Sequence, residues 1–141
     1  MAGDIVLGFD GSAGAEAALV VAVTLARAFD ATLAIVFGYE PNPMGGETSD
    51  YQYQLKQLGE GFVNAAAAEA SRLDPRVSVE PLVVGLRPVA ALLETAVERA
   101  ARVIVVGSTG ELPIVGAILG SVPHKLLHHS RIPVLVVPHP D

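Results

Sequence analysis

The sequence contains no cysteine and no tryptophan, and lysine occurs at two of its 141 positions, Lys56 and Lys125. Without cysteine the chain can form neither a disulfide framework nor a thiolate zinc site. The net charge of −6 and the scarcity of lysine argue against electrostatic capture of nucleic acid. We therefore expect any bound anion to be held by backbone N–H groups rather than by basic side chains.

Long apolar runs are also missing. Uncharged stretches such as 17–26 and 112–124 fall short of the roughly 20 apolar residues that a membrane-spanning helix needs. The opening residues MAGDIVLGF lack a basic region before the apolar run and carry Asp4, so we predict no signal peptide. The length fits a single domain over residues 1–141, and together these features predict a cytoplasmic protein.

Short apolar runs alternate with alanine-rich or amphipathic segments. The pattern predicts strands at 4–9, 31–39, 77–85, 102–107 and 133–138, and helices at 13–29, 51–73, 88–100 and 121–130. Pro81 lacks a ladder donor and predicts an edge position for the third strand. Such alternation favours an α/β fold: an open, doubly wound sheet of five parallel strands with helices on both faces. The pattern leaves the order of the strands open.

In such a sheet, ligands bind beyond the carboxyl ends of the strands, where the winding reverses. The first predicted strand ends at Asp10-Gly11-Ser12, and the fourth ends at Gly107-Ser108-Thr109-Gly110. If these strands are neighbours, their polar, glycine-containing ends meet at this point. The coincidence predicts a binding site there.

The segment 106–122, VGSTGELPIVGAILGSV, combines glycines with an apolar middle. Gly107 and Gly110 frame a turn after a strand, and Gly120-Ser121 opens the next helix. Backbone amides and the Ser121 hydroxyl would grip a polyphosphate without lysine. The plainer interpretation, turn glycines and a helix N-cap, stays open from these residues alone. The segment is neither a Walker loop nor a dinucleotide fingerprint.

Two other groups of residues allow a structural as well as a functional interpretation. The Asp10 carboxylate either caps the turn that follows it, or holds Mg²⁺ or a nucleotide hydroxyl or base. His124 and His128 share a helix face, but neither cysteine nor a nearby carboxylate completes a zinc site. We predict a structural or surface role for these histidines.

The residues then match a known family. Residues 105–138, VVGSTGELPIVGAILGSVPHKLLHHSRIPVLVVP, resemble the universal stress protein family, whose ATP-binding members carry Gly, two residues, Gly, nine residues and then Gly-Ser or Gly-Thr. Gly107, Gly110, Gly120 and Ser121 meet that spacing. The opening IVLGFDGSAGAEAAL and the segment GLRPVAALLETA are similar to the family as well, so the resemblance covers the whole chain.

The resemblance implies a Rossmann-like fold with strand order 3-2-1-4-5. It also implies an adenine nucleotide ligand (ATP, or ADP or AMP), with Mg²⁺ near Asp10, and no catalytic residue. The implied nucleotide-binding residues are Asp10, Gly38, Val106, Gly107, Thr109, Gly110, Gly120, Ser121 and Val122. The family often dimerises by pairing its last strand, here within 133–138, which would also cover an apolar edge.

One residue departs from the family pattern. ATP-binding members commonly place Ser or Thr after Gly-Ser-Val, whereas this chain has Pro123, which removes a hydroxyl and an N–H near the expected phosphates. A family member that binds no nucleotide and acts as a dimeric scaffold is therefore an alternative hypothesis.

An enzymatic alternative is a slow ATPase or phosphotransferase. Asp10 and Glu111 are the nearby carboxylates, and the glycine motif contains no Lys or Arg to stabilise transferred charge, so we expect slow hydrolysis at best. A phosphorylation-driven receiver domain is disfavoured, because the first strand ends in a single aspartate and no lysine follows the last strand.

Overall fold

A computed structural model describes residues 3–40, 50–108 and 120–139. Within these ranges the chain alternates five strands with four helices. They are β1 (Ile5–Gly8), α1 (Ala13–Phe29), β2 (Leu33–Gly38), α2 (Asp50–Leu73), β3 (Val79–Val84), α3 (Pro88–Glu98), β4 (Val103–Gly107), α4 (Ser121–His129) and β5 (Val134–Val137). Each predicted element is present, and its bounds agree to within two residues.

The strands form one parallel sheet in the order β3-β2-β1-β4-β5. This α/β arrangement and its strand order are the ones that the resemblance implied. β1 lies in the centre, paired with β2 on one side and β4 on the other, so the winding reverses between β1 and β4. β3, which contains Pro81, forms one edge, as that proline predicts.

Side chains of successive strand residues alternate between two apolar layers, because strand periodicity is two. One layer packs under α1 and α2; its strand members include Ile5, Leu7, Leu33, Ile35 and Val105. The other packs under α3 and α4; its strand members include Val6, Ala34, Val36, Ile104 and Val106. The sheet is thus covered on both faces, and its carboxyl edge is where a crevice can open.

Local chemistry sets where the helices begin and end. Ser12 caps α1, since its Oγ accepts a hydrogen bond from the Ala15 amide at 3.1 Å. Pro88 occupies the first turn of α3, where its missing N–H costs nothing. α3 was predicted to continue to residue 100, but it ends at Glu98 because Ala100 adopts a left-handed φ of 49°.

Candidate functional site

A cavity of about 300 Å³ opens at the carboxyl ends of β1, β2 and β4. It lies at the switch point between β1 and β4, where open α/β sheets bind their ligands. The lining residues come from the strand ends and from the first turns of α1, α3 and α4. They are Gly8, Phe9, Asp10, Ser12, Ala15, Val36, Phe37, Gly38, Pro88, Leu92, Val106, Gly107, Gly120, Ser121, Val122 and Pro123.

The cavity brings together seven of the nine residues that the sequence nominated for nucleotide binding. They are Asp10, Gly38, Val106, Gly107, Gly120, Ser121 and Val122. The other two, Thr109 and Gly110, lie outside the described residues, as do Glu111, most of the 40–50 loop and the apolar stretch 112–119. These seven residues therefore lie around one cavity. Their contact with a ligand stays a prediction.

The turn after β1 holds Asp10 at the cavity. Asp10 Oδ1 accepts a hydrogen bond from the Ser12 amide at 3.0 Å, so the carboxylate does cap this turn. Gly11 has a φ of 80°, and a Cβ there would approach the Phe62 ring to 2.6 Å. This position therefore requires glycine on two grounds. Capping engages one oxygen of Asp10, and the residue still borders the cavity.

The start of α4 is tied to the end of β4 by backbone hydrogen bonds. The Ser108 amide donates to the carbonyl of Val137 at 2.9 Å, and the Gly120 amide donates to the carbonyl of Ser108 at 2.7 Å. The Gly120–Ser108 bond brings the Gly120-Ser121 pair back beside Gly107, although 12 residues separate Gly107 from Gly120 in the sequence, and the Ser108–Val137 bond continues the pairing of β4 with β5. Gly107 and the Gly120-Ser121 pair therefore border the same cavity.

The first turn of α4 offers backbone donors to this cavity. Gly120 is the N-cap residue, and no side-chain hydrogen bond caps the helix among the described residues. The first-turn N–H groups of Ser121 and Val122 have no partner within an α-helix and carry the positive end of its dipole. Pro123, also in the lining, has no N–H to add. The arrangement suits an anionic group that is bound by main-chain amides.

Two of the nominated glycines have packing reasons of their own. A Cβ at Gly107 would approach the carbonyl oxygen of Gly14, at the start of α1, to 2.7 Å. A Cβ at Gly38 would approach the carbonyl oxygen of Leu86 to 2.7 Å and the Cα of Pro88 to 2.9 Å. Their side-chain positions face neighbouring helices, so close packing alone accounts for glycine at both sites.

Sequence reasoning missed the apolar wall of the cavity. Phe37 and Leu92 line it, and Phe37 also contacts Phe62, with ring centroids 6.0 Å apart. The usable signal was the position of Phe37, next to Gly38 at the carboxyl end of β2. Because Phe37 is apolar, the hydrophobic pattern of the strand indicated a core residue. That pattern does not distinguish a side chain packed in the core from one that lines a cavity.

Few charged side chains border the cavity. Asp10 is the one ionisable side chain among its lining residues, all of which lie in the described part of the chain. Arg87 precedes the lining residue Pro88, but its guanidinium pairs with Glu40 at 2.7 Å, and both side chains are exposed. A bound anion would therefore depend on backbone donors rather than on a basic side chain.

Other charged clusters lie at the opposite, amino edge of the sheet. Arg99 bridges Asp4 at 2.9 Å and Glu80 at 2.8 Å, and its hydrogen bonds lower the pKa of the Glu80 carboxyl below its usual value. Arg76 pairs with Asp74 at 3.1 Å, and this contact with the Arg76 backbone and side chain lowers the pKa of Asp74. The Arg99 pairs tie the end of α3 to β3 and to the residue before β1, whereas the Asp74–Arg76 pair lies within one turn, and both clusters are remote from the cavity.

His124 and His128, for which the sequence predicts a structural or surface role, lie on the surface of α4. The rings of His124 and His128 contact each other edge to face, with centroids 4.6 Å apart, and both residues are exposed. Among the described residues, no group of three or more His, Asp or Glu side chains is placed to hold a metal ion. None of the helices in this part of the chain is long and apolar enough to cross a membrane.

Comparison with known proteins shows the family and agrees with the fold. The model of the universal stress protein family matches residues 1–138. The "Universal stress protein in QAH/OAS sulfhydrylase 3'region" of Thermus aquaticus is 33% identical over 133 residues, covering 94% of this chain and 96% of that protein.

Solved structures are similar over the same length. A universal stress protein crystallised in complex with cAMP is 30% identical, with a TM-score of 0.71, and the match covers 99% of this chain and 100% of the other. One from Archaeoglobus fulgidus in complex with dAMP has a TM-score of 0.70 at 20% identity, covering 94% and 95% of the two chains, and shows likeness of fold. From its sequence and its architecture, this chain belongs to the universal stress protein family.

Proposed function

We propose that this protein binds an adenine nucleotide in the cavity at the carboxyl ends of β1, β2 and β4. The observation that carries the proposal is the convergence of uncapped first-turn amides of α4 with the ends of β1 and β4 around one crevice. Such amides bind phosphate, and the apolar wall with Phe37 and Leu92 suits a base. Related universal stress proteins crystallised with cAMP and dAMP support an adenine ligand.

Within this proposal each nominated residue has a role. Gly120, Ser121 and Val122 would hold a phosphate, while Val106 and Gly107, with Thr109 and Gly110 of the same motif, would border the ribose and phosphates. The β2 end at Gly38 would offer backbone groups to the base. These assignments follow the family motif, and the cavity lining supports those that lie in the described residues.

ATP with Mg²⁺ is the finer form of the proposal. One oxygen of Asp10 accepts the Ser12 amide, which leaves the other to face a cation. A single carboxylate fits Mg²⁺ when nucleotide phosphates supply further ligands, which is the usual mode for this ion. Mg²⁺ would neutralise phosphate charge here, and Asp10 would orient its hydration shell.

The protein would act through the presence or absence of bound nucleotide, rather than by converting the nucleotide to a product. Fast phosphoryl transfer needs cationic groups at the transferred phosphate, and the described lining residues include none.

A stress-response role follows from family membership, and a cytoplasmic location stays a prediction that cell fractionation would check. We also propose a homodimer through β5, within 133–138.

A pair of tryptophan substitutions tests the site. Ser121→Trp would fill the phosphate end of the cavity, whereas Lys125→Trp places the same side chain at an exposed position of the same helix. We expect calorimetric titration with ATP or AMP to show saturable binding by the native chain and by Lys125→Trp, and a loss of about tenfold or more in affinity for Ser121→Trp. Equal affinities for the two variants would place the nucleotide elsewhere.

A further inference from the structure

We propose that His124 and His128 form a two-ligand site on the outer face of α4 for a divalent transition-metal ion that prefers imidazole, with Ni²⁺ and Cu²⁺ bound more tightly than Zn²⁺. This inference is independent of the proposed nucleotide site, because neither histidine belongs to the lining of the cavity. Both side chains are exposed, so an ion reaches them from solvent without any opening of the fold.

The helix holds both histidines on one outward face. Pro123 and Leu126 are buried and fix the inner face of α4 against the sheet. His124 and His128 lie four residues apart, which places them one above the other on successive turns of the outer face. His129 is the next residue along the chain, but a step of five residues from His124 turns it well away from this face. The pair is therefore mounted on a packed element rather than on a loop.

The spacing of the two rings fits a shared ion. Their centres lie 4.6 Å apart. Each centre lies close to its Cβ–Cγ axis, so rotation about χ2 turns the ring nitrogens and leaves the centres nearly in place. An imidazole nitrogen binds such metals at about 2.0–2.1 Å, which puts the ion roughly 3.2 Å from each ring centre. The edge-to-face contact thus gives way to joint coordination by rotation of the rings alone.

The same distances define the coordination angle. Two ring centres 4.6 Å apart subtend an angle of roughly 90° at an ion in this position. Neighbouring ligands of a tetragonal or octahedral ion meet at this angle, and Cu²⁺ and Ni²⁺ favour such geometries. A tetrahedral ion such as Zn²⁺ needs a wider angle. The pair therefore selects among transition metals by geometry as well as by ligand type.

The number of ligands makes this an open site. Among the residues that the structure describes, no third His, Asp or Glu is placed to join the pair, so water fills the remaining positions. Once one imidazole holds the ion, the helix presents the second at a high effective concentration. His128 also lies in the last turn of α4, where the negative end of the helix dipole favours a cation. Mg²⁺ and Ca²⁺ prefer oxygen ligands and should not compete.

Titration with Ni²⁺ tests the site. Calorimetry would use the native full chain, purified without a histidine tag and stripped of nucleotide, beside His124→Gln, His128→Gln and the control His129→Gln. We expect one Ni²⁺ per chain for the native protein and for His129→Gln, and a loss of about tenfold or more in affinity for either of the other variants. Saturating Ni²⁺ should raise the melting temperature of the native chain and of the control alone, because the ion ties two turns of folded α4 together.

The Cu²⁺ complex offers a spectroscopic readout of the same pair. Electron paramagnetic resonance with one equivalent of Cu²⁺ should show coupling to two imidazole nitrogens in the native chain and to a single one in His124→Gln or His128→Gln. Equal Ni²⁺ affinities of the native chain and these two variants would overturn the proposal. So would an equal loss in His129→Gln, or one ion per two chains, which would place the ion between copies. None of these outcomes bears on nucleotide binding.

Discussion

At the scale of single residues, glycine at the strand ends serves packing first. Gly107 has no left-handed φ, so its backbone does not demand glycine. The demand comes from α1, whose Gly14 carbonyl would lie 2.7 Å from any Cβ at position 107. This close approach lets the start of α1 and the end of β4 border one cavity. A motif that looks purely ligand-directed is therefore also a contact between two elements.

Gly107→Ala should destabilise the protein, because its Cβ meets backbone atoms that cannot rotate away. We expect a loss of about 1–3 kcal/mol in unfolding free energy, as for overpacked cores, with weaker nucleotide binding. Urea denaturation measures the first effect. Gly85→Ala is the control, since its Cβ would meet Tyr39 Oη at an ordinary 3.4 Å. Equal stability of the two variants would contradict this account.

At the scale of elements, two nearby glycines of α2 differ in the packing around them. By helix propensity alone, Gly59 and Gly61 would each weaken the first half of this helix. A Cβ at Gly59 would run into the Phe37 ring, which lines the cavity, whereas a Cβ at Gly61 would meet nothing within 4 Å. Gly59 thus allows α2 to approach β2, and Gly61 has no such packing reason.

Alanine substitutions in α2 should therefore change stability in opposite directions. Gly61→Ala should raise the unfolding free energy by about 0.8–1.0 kcal/mol, the difference in helix propensity. Gly59→Ala gains the same propensity but displaces Phe37, so we expect a net loss of stability. Urea denaturation of both variants alongside the native chain measures the difference. Stabilisation by both would show that the Phe37 ring moves aside without cost.

At the scale of the whole molecule, the two edges of the sheet differ. The β3 edge carries Glu80 and Pro81, which discourage pairing with another strand. The β5 edge reads VLVV, without charge or proline, and Leu135 is 37% exposed in the single chain. An uncovered apolar edge favours association with another strand, which supports the proposed homodimer.

A charge on β5 should therefore break the dimer. We expect light scattering with size-exclusion chromatography to give twice the chain mass for the native protein and the single-chain mass for Leu135→Lys. Val97→Lys, at a residue of α3 that is 73% exposed, should remain dimeric. A native protein that is monomeric at micromolar concentration would refute pairing through β5.

Sequence patterns predicted the strands and helices well because each element has a strong apolar period and clear breakers, such as Pro88 and Gly11. Strand order needed the family resemblance, since parallel strands of similar composition do not encode their neighbours locally. The location of Asp10 and Ser121 at the cavity was predictable from their places at a strand end and a helix start, whereas their contact with a ligand stays a prediction. Phe37 and the packing role of Gly107 were not, because both depend on contacts between distant elements.

The most direct test of the central claim is a nucleotide titration of the ¹⁵N-labelled chain, followed by amide chemical shifts. At 14.6 kDa the protein is well suited to this measurement. The account predicts saturable shifts concentrated in the Asp10–Ser12 turn, at Gly107 and at Gly120–Val122, with the amino edge around Arg99 unaffected. Absence of shifts with cAMP, AMP or ATP at millimolar concentration, or shifts centred on the amino edge, would contradict it.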